Sequence, residues 1–289
     1  MVLLDSDFEN LSNCPWDGKN TEDAELMYID PMGCEVVRCL ECGLVYARRR
    51  LNNDGLKKYW SSYYSRVQMA DEIMNDKRNK MYDIDFQYIN SFVSAGQVLD
   101  VGCGDGSFMS CFERSGYETC GVEFGKEAAR VGEKKHTIYY GVFPDIKIKS
   151  KFDLITFRGV LQYLPDVKLY LNKAISLLKE GGMVFITAQP NMNSLCFNLF
   201  KDKFTQPVSG ADFCGYNENI ISKYMSDNGL RKVGEKYFYE ETPYADVYDD
   251  ITKVYRALSC KQKGEKISFS SPPFWGNMMS LVYEKMKII

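Results

Sequence analysis

Two acidic side chains and a run of glycines in the middle of the chain have the types and spacing of a nucleotide-binding site. The segment Val98–Phe108 reads VLDVGCGDGSF, so an apolar run ends in Asp100 and is followed by Gly102, Gly104 and Gly106. Glycine adopts dihedral angles that other residues avoid and lets a ligand approach the main chain. The N–H groups of a following helix start would face that ligand. The segment predicts a ligand site at the carboxyl end of a strand.

The spacing of the glycines separates this loop from other nucleotide-binding loops. It is G-x-G-x-G, whereas dinucleotide-binding proteins use G-x-G-x-x-G, and no Lys-Ser/Thr pair follows as in a P-loop. Asp100 would lie poorly beside a pyrophosphate, and it suits a ligand that carries hydroxyl groups and positive charge. Another Rossmann-like site or a plain tight turn is the alternative at this point.

The loop resembles the first motif of the class I S-adenosylmethionine (SAM)-dependent methyltransferases, which has the form (V/L)LD-x-G-x-G-x-G. Three further segments follow in the family order: GVEFGKEA at 121–128, RGVLQYLPD at 158–166 and LLKEGGMVFIT at 177–187. The resemblance implies an α/β fold with a Rossmann-like, seven-stranded, mostly parallel sheet flanked by helices. It also implies SAM as the cofactor and S-adenosylhomocysteine as its product.

The resemblance implies that the acids on either side of the glycines contact different parts of the cofactor. Asp100 would lie near the amino-acid portion. Glu123 follows the glycines by roughly twenty residues, where an acid at the end of a second strand can accept both hydrogen bonds of a ribose diol. Phe124 would pack on the adenine face. A surface acid is the competing interpretation of Glu123.

The later motifs extend the implied cofactor site. Phe157 and Arg158 would lie beside the methionine end, while Val142 and Phe143 stand where relatives commonly carry an acid near the adenine amine. The predicted cofactor-binding set is Asp100, Gly102, Cys103, Gly104, Gly106, Phe108, Glu123, Phe124, Phe143, Phe157 and Arg158.

The general base is the least specified part of the predicted site. A base is needed only when the acceptor holds its proton tightly, as a sugar hydroxyl does. Gln162 and Tyr163 occupy the places of the usual Glu and His, and the chain's one histidine, His136, is expected at the surface. Tyr163, Asp212 and the acids after residue 234 are the candidates, although the pKa of tyrosine matches neutral pH poorly.

Cysteines near the amino terminus have the spacing of a metal site. The segments CPWDG at 14–18 and CLECG at 39–43 each place glycine after a pair of potential ligands, which allows a turn that aims both at one ion. The pattern resembles the zinc ribbon of a subset of class I methyltransferases. Cys14, Asp17, Cys39 and Cys42 would hold structural Zn²⁺, with Cys34 as an alternative fourth ligand. A ribbon that has lost its metal is the competing interpretation.

Composition and charge limit the classes of partner. The 289 residues are 45% hydrophobic and 26% charged, as in ordinary globular proteins. The net charge of −3 argues against nucleic acid as the main partner, and the one tight basic cluster, Arg48–Arg50, is expected to be a solvated loop. No apolar run reaches membrane-spanning length. Ten cysteines without an export signal indicate reduced thiols, so we expect a cytoplasmic protein.

The motifs divide the chain into two parts. Residues 1–50 form the ribbon-like segment, and 51–289 form the methyltransferase domain, with a helical cover at 51–95, a SAM-binding core at 96–234 and an extension at 235–289. In the extension, Met278–Tyr283 is expected to be an antiparallel edge strand. The aromatic stripe before residue 65 is expected to be core, although Tyr63 or Tyr64 could reach an acceptor pocket.

The resemblance predicts transfer of a methyl group to a small-molecule acceptor, such as a hydroxyl or carbon of a sugar or nucleotide-linked sugar. Two alternatives stay open. One is a methyltransferase that acts on protein or RNA, against which the charge counts. The other is a non-catalytic SAM-binding regulatory protein, with which the missing second histidine is consistent. Fold by itself does not decide among them.

Overall fold

A computed structural model describes residues 3–61 and 72–287 of the chain, and Tyr63 and Tyr64 lie outside that range. Its strands are β1 (Phe8–Asn10), β2 (Glu25–Ile29), β3 (Glu35–Arg38), β4 (Val45–Ala47), β5 (Arg49–Leu51), β6 (Gln97–Val101), β7 (Glu118–Glu123), β8 (Thr137–Tyr140), β9 (Phe152–Arg158), β10 (Leu178–Pro190), β11 (Cys214–Gly215), β12 (Leu230–Lys236) and β13 (Met278–Lys285). Its α-helices are α1 (Asn53–Ser61), α2 (Glu72–Asn90), α3 (Met109–Glu113), α4 (Lys126–Gly132), α5 (Val167–Leu177), α6 (Leu195–Phe200), α7 (Glu218–Asp227) and α8 (Val247–Gln262). None of these helices has the length and apolar character of a membrane span.

A seven-stranded sheet forms the centre of the fold, in the order β8-β7-β6-β9-β10-β13-β12. The strands from β8 to β10 run parallel, and β13 is antiparallel to both of its neighbours. The predicted α/β fold with a mostly parallel sheet is confirmed. Crossover helices cover such a sheet on both faces, and its ligands bind at the carboxyl ends of the parallel strands.

The expected position of the last strand was wrong. The segment 278–285 lies inside the sheet, and Leu230–Lys236 forms the edge. Met279, Leu281, Val282 and Tyr283 are each 0% exposed. Consecutive apolar residues that are buried on both faces belong to an interior strand, whereas charged residues suit an edge.

The amino-terminal segment forms a second sheet, in the order β11-β4-β3-β2. Strand β11 comes from the second part of the chain, residues 51–289: Cys214 pairs with Tyr46 and Gly215 pairs with Val45. The two parts of the chain also share one hydrophobic cluster. The ribbon-like segment is therefore packed onto the carboxyl-terminal half of the chain.

The basic cluster is not the solvated loop that its composition predicts. Arg48–Arg50 leads into and occupies strand β5, and its three side chains pair with Glu35, Asp5 and Glu9 in turn. Arg50 is only 7% exposed and also donates to the Pro165 carbonyl. A separate acid for each arginine explains why three adjacent cations are tolerated here.

Candidate active site

The glycine-rich loop turns over the end of the neighbouring strand. The N–H groups of Gly102 and Cys103 donate to the Val122 carbonyl at 2.8 and 3.1 Å. The backbone is in the left-handed region at Gly102, Gly104 and Gly106, with φ of +77°, +57° and +80°. A side chain at any of these positions would strain the backbone, so the loop requires all three glycines.

The surroundings of the glycines differ in a way that marks the ligand side. A Cβ atom at Gly102 would lie 2.6 Å from Val160 Cγ2, and one at Gly106 would lie 2.2 Å from His136 Cδ2. A Cβ atom at Gly104 would have no atom of the described residues within 4 Å, apart from its own chain neighbours. Two glycines therefore make room for the protein's own side chains, while Gly104 borders open space.

His136 is not at the surface, contrary to the expectation from its Lys-rich surroundings. Its side chain is 3% exposed, and Nδ1 lies 2.9 Å from Glu113 Oε1. Nε2 lies 3.3 Å from Ser110 Oγ. The missing side chain of Gly106 leaves the space that the imidazole fills, so His136 supports the loop and helix α3 from beneath.

The two predicted acids lie beside the same loop. Glu123 Oε2 accepts the N–H of Gly104 at 2.8 Å, and Asp100 Oδ1 accepts the Thr156 hydroxyl at 2.5 Å. Burial raises the pKa of Asp100 to about 6, against the lowering effects of Thr156 and Arg158. Burial also raises the pKa of Glu123, although N–H donors around it act in the opposite direction. Burial destabilises the ionised form of both carboxyl groups. A ligand that donates hydrogen bonds from hydroxyl groups and carries positive charge would stabilise that form.

A buried ion pair that the sequence did not reveal lies next to these acids. Arg158 Nε donates to Asp85 Oδ2 at 2.8 Å, and the Thr187 hydroxyl donates to Asp85 Oδ1 at 2.7 Å. The Arg158 guanidinium also lies over the rings of Tyr82 and Phe108, at 4.4 and 5.6 Å from their centroids. Burial raises the pKa of Asp85, and the cation beside it lowers it.

One signal in the sequence could have identified Asp85. Tyr82, Phe86 and Ile89 have the i, i+4, i+7 spacing of an apolar helix face, and Asp85 lies on that face. An acid in that position is buried and needs a partner. The partner lies 73 residues further along the chain, beyond the reach of any local pattern.

Several predicted cofactor contacts are packed inside the protein. Phe108, Phe143 and Phe157 are 3%, 1% and 0% exposed. Cys103 Sγ occupies the space that a Cβ atom at Gly121 would fill, 2.4 Å from that position. These four side chains therefore shape the site from below. Among the predicted aromatic contacts, Phe124 alone is half-buried, directly after Glu123.

The two base candidates lie together. Asp212 accepts hydrogen bonds from the hydroxyls of Ser209 and Tyr163, and burial raises the pKa of its carboxyl. Tyr163 belongs to the short 3-10 turn Leu161–Tyr163, which follows the carboxyl end of strand β9. A carboxylate that is destabilised by burial is a better proton acceptor near neutral pH than an exposed one. The sequence motifs did not predict this contact.

A bulge at the end of strand β10 lies next to that turn. Ile186 pairs with Leu281 and Gln189 pairs with Met279, so strand β10 has one extra residue here. Ala188 takes φ of +51°, which is rare for a residue with a side chain. Bulges of this kind change the direction of a side chain and occur beside active sites.

Two amide side chains near the bulge have buried polar atoms without a hydrogen-bond partner among the described residues. Gln189 is 0% exposed, and neither its Oε1 nor its Nε2 has a partner. Oε1 of Gln162 is also unpaired, while its Nε2 donates to the Gly159 carbonyl. Gly159 in turn lies against Ala188, since a Cβ atom on it would be 3.8 Å from Ala188 Cβ. Buried polar groups without partners need an explanation, and a bound ligand is one.

Two surface cavities lie away from the glycine loop. One, of about 690 Å³, lies between residues 144–148 and helix α5, on the outside of the fold. The other, of about 300 Å³, follows strand β10 and is lined by Asn191, Tyr237 and Trp275 among others. The second is the better placed for an acceptor, because it opens at the same end of the sheet as the bulge.

The four predicted metal ligands converge. Cys14 Sγ and Cys42 Sγ are 3.7 Å apart, and Cys39 Sγ lies 3.3 Å from Asp17 Oδ2. All four ligand atoms lie within 4.8 Å of one another. Two sulfurs bound to a tetrahedral zinc ion are about 3.8 Å apart. The donors therefore have the chemistry and spacing that Zn²⁺ requires.

The two halves of the cluster use the same turn. Gly18 N donates to the Cys14 carbonyl at 3.0 Å, and Gly43 N donates to the Cys39 carbonyl at 2.9 Å. Both glycines are left-handed, with φ of +76° and +77°. Asp17 thus takes the place in the first turn that Cys42 takes in the second.

Comparison with known proteins agrees with this arrangement. The profile of a family described as a methyltransferase domain matches residues 69–251. The ubiquinone biosynthesis O-methyltransferase of Xanthomonas euvesicatoria pv. vesicatoria is 29% identical over 131 residues, which are 42% of this chain and 51% of that protein. The protein of the same name in Colwellia psychrerythraea is 27% identical over 122 residues, or 39% and 44% of the two chains. The chain thus spans about half the length of the curated relatives it matches.

Solved structures share the fold at low identity. The magnesium protoporphyrin IX methyltransferase of Synechocystis PCC 6803, crystallised with S-adenosylhomocysteine, has a TM-score of 0.56 at 13% identity, with 81% of this chain and 100% of that chain covered. The plantazolicin methyltransferase BamL, crystallised with a triazolic desmethylPZN analog and S-adenosylhomocysteine, has a TM-score of 0.53 at 15% identity, with 80% and 94% covered. Because the family profile covers more than half of the sequence, the chain belongs to the class I SAM-dependent methyltransferase family.

Proposed function

We propose that this protein transfers a methyl group from SAM to a hydroxyl group of a small-molecule acceptor. The observation that carries the proposal is the open space at Gly104, on a left-handed glycine loop between the buried Asp100 and the half-buried Glu123. The curated relatives are named O-methyltransferases, which supports oxygen as the methylated atom. A sugar or nucleotide-linked sugar is the narrower form of the proposal, and it rests on the resemblance of the amino-terminal segment.

Each residue of the loop region has a separate task in this proposal. Bound SAM supplies a methyl group on a sulfonium, which is already electrophilic. Glu123 binds the ribose hydroxyls, and Gly104 allows the adenosyl part to lie against the main chain. Asp100 provides negative charge near the cationic amino-acid end. These residues bind and orient, and much of the rate acceleration in such a transfer comes from orientation.

The acceptor side consists of the Tyr163–Asp212 pair and the two amides. Asp212 would accept the proton of the acceptor hydroxyl, either directly or through the Tyr163 hydroxyl that bonds to it. The unpaired groups of Gln162 and Gln189 would bind polar, uncharged groups of the acceptor. Together these residues favour a neutral acceptor that carries hydroxyl groups.

The amino-terminal cluster is proposed to hold structural Zn²⁺. Cys14, Asp17, Cys39 and Cys42 would be its ligands, because their donor atoms are close enough to share one ion. The ion would link the two turns of the segment. All four positions are taken by protein ligands, as in structural zinc sites, so no substrate chemistry is assigned to it.

SAM binding is expected to weaken as the pH falls below about 6. Asp100 has a raised pKa of about 6 in the folded protein, so its negative charge is lost below that pH. Of its charged neighbours, Arg158 lowers this pKa and Glu123 raises it. Protonation at low pH stabilises the folded form itself, because the folded carboxyl binds its proton more tightly than the unfolded one. Binding of a cation requires the opposite, ionised form. The dissociation constant of SAM, measured by calorimetry from pH 7.5 to pH 5, should therefore rise by roughly tenfold.

Asp100→Asn is the control for this pH dependence. The variant should bind SAM weakly at every pH in the same range, since it has no charge to lose at this position. A wild-type dissociation constant that stays constant from pH 7.5 to pH 5 would contradict the assignment of Asp100.

Formation of S-adenosylhomocysteine from SAM tests the proposed activity. Purified protein with SAM should form S-adenosylhomocysteine when a suitable hydroxyl compound is added. A panel of phenols, free sugars and nucleotide sugars would identify the class of acceptor. Product formation that needs added RNA or protein in place of the panel would support a macromolecular substrate. Tight SAM binding without turnover on any acceptor would support a regulatory protein instead.

A further inference from the structure

Helix α8 is packed onto the protein by one narrow face. Asp250, Val254 and Ala257 are all buried, and they recur at the i, i+4, i+7 spacing of a single helix face. Asp250 also accepts hydrogen bonds from the Tyr239 hydroxyl and from the N–H of Asp246, the residue that caps the helix. These contacts fix the orientation of the helix, so the side chains on its remaining surface have defined positions.

A second apolar stripe runs along the exposed surface of the same helix. Tyr248, Ile251, Tyr255 and Leu258 are between 44% and 86% exposed, and Val247 extends the stripe at its amino-terminal end. Steps of three, four and three residues separate the first four, which is the a/d spacing of a helix–helix seam. Single exposed apolar residues are normal, whereas a continuous stripe of them marks an interaction surface.

The width and area of the stripe suit a second helix. A seam of a and d positions is narrow and accepts the side chains of one facing helix between its own. A standard protein–protein interface buries about 800 Å² on each partner. One aromatic side chain contributes about 150–250 Å² when it is fully buried. Tyr248 and Tyr255, together with the aliphatic residues between and beside them, would therefore form the core of such an interface.

The exposed charges at the two ends of helix α8 have opposite signs. Asp246 and Asp249 are exposed at its amino-terminal end, and Lys261 and Lys263 are exposed at its carboxyl-terminal end. If two copies of the helix pair in the antiparallel orientation, each acidic end lies beside a basic end, and the helix dipoles also run in opposite directions. A parallel pair would bring like charges together. The surface is therefore complementary to a second copy of itself, as in an isologous two-fold contact.

We propose that helix α8 forms a homodimer interface, in which its exposed stripe packs antiparallel against the same stripe of a second copy of this chain. A two-fold axis at the middle of the stripe places Ile251 against the partner's Tyr255 and Tyr248 against the partner's Leu258. Each of these contacts then occurs twice in the dimer.

The oligomeric state of the full chain tests the proposal. By sedimentation equilibrium, the wild type should be a dimer at about 50 μM protein, with a dissociation constant in about the micromolar range. Ile251→Gln and Tyr255→Gln should each raise that constant by roughly 100-fold, because a symmetric interface carries every substitution twice. Glutamine is a good helix former, so both variants should keep the wild-type unfolding temperature.

Two substitutions are matched controls for the stripe. Lys253→Gln changes the same helix on the side away from the stripe. Ile29→Gln removes an isoleucine on strand β2 that is 61% exposed. Each control should leave the dissociation constant within about twofold of the wild-type value. Dissociation of the dimer by these controls to the same extent as by Ile251→Gln would overturn the proposal.

Reversal of the charges at one end tests the orientation. Lys261→Glu combined with Lys263→Glu makes both ends of the helix acidic, so it should weaken the dimer by roughly tenfold at low salt and by less at high salt. A dimer that is strengthened by the combined change would contradict the antiparallel arrangement.

Three further results would overturn the proposal. The first is a wild type that stays monomeric up to about 200 μM protein. The second is a dimer that Ile251→Gln and Tyr255→Gln leave intact, because its interface would then lie elsewhere. The third is a monomeric wild type that sediments with phosphatidylcholine vesicles while Ile251→Gln does not, which would mean that the stripe binds lipid.

Discussion

Gly104→Ala is expected to weaken binding of S-adenosylhomocysteine by about 100-fold while costing the free protein only about 1 kcal/mol of stability. The new Cβ atom meets nothing within 4 Å among residues 3–61 and 72–287 beyond its chain neighbours, so only its φ of +57° is penalised. In the complex the same atom would occupy the space of the ligand. Calorimetric titration and thermal unfolding measure the two effects separately.

Gly116→Ala is the matched control. Gly116 has φ of +86° and open space around it, but it follows helix α3 at the opposite end of the sheet from the loop. It should show a similar loss of stability and unchanged ligand binding. Gly106→Ala should reduce both stability and ligand binding, because its Cβ atom would collide with His136. Full affinity in Gly104→Ala would mean that the open space does not hold the cofactor.

Loss of one metal ligand should have the largest effect on stability. Cys42→Ser is expected to purify without stoichiometric zinc and to unfold about 10 °C or more below the wild type. Cys42 Sγ lies 3.7 Å from Cys14 Sγ, so one ion would bridge the two turns. Binding of structural zinc contributes directly to folding in small metal-binding segments. Elemental analysis of freshly purified protein and thermal unfolding with and without a chelator measure both effects.

Two other substitutions are controls for the Cys42→Ser experiment. Cys260→Ser removes a half-buried thiol on helix α8, far from the cluster in sequence, and should change neither zinc content nor stability. Asp17→Cys should retain zinc, because thiolate is an equally suitable ligand in the same turn. Wild-type protein that holds no zinc after incubation with the ion, and that unfolds at the same temperature as Cys42→Ser, would contradict the metal site.

The parts of the site that depend on local sequence were predictable. The glycine loop, Asp100 and Glu123 lie at the ends of consecutive parallel strands, so strand order and short spacing suffice to bring them together. The convergence of Cys14, Asp17, Cys39 and Cys42 was predictable for a similar reason, since each of the two turns is five residues long and carries its own glycine. In both cases the residues that form the site lie in one or two short segments of the sequence.

The parts that depend on distant contacts were not predictable. The Arg158–Asp85 pair joins residues 73 positions apart, and the bulge at Ala188 depends on how strand β10 pairs with a strand from the end of the chain. Burial of His136 depends on a missing side chain at Gly106. Composition near each residue gave the wrong expectation for His136, because the tertiary contact outweighs the local charge pattern.

A crystal structure of the protein with S-adenosylhomocysteine tests the cofactor assignment most directly. The ribose hydroxyls should lie within hydrogen-bonding distance of the Glu123 carboxylate, with the adenosyl group in van der Waals contact with Gly104 Cα. A ligand bound elsewhere, or a glycine loop that stays empty in crystals saturated with the compound, would contradict it.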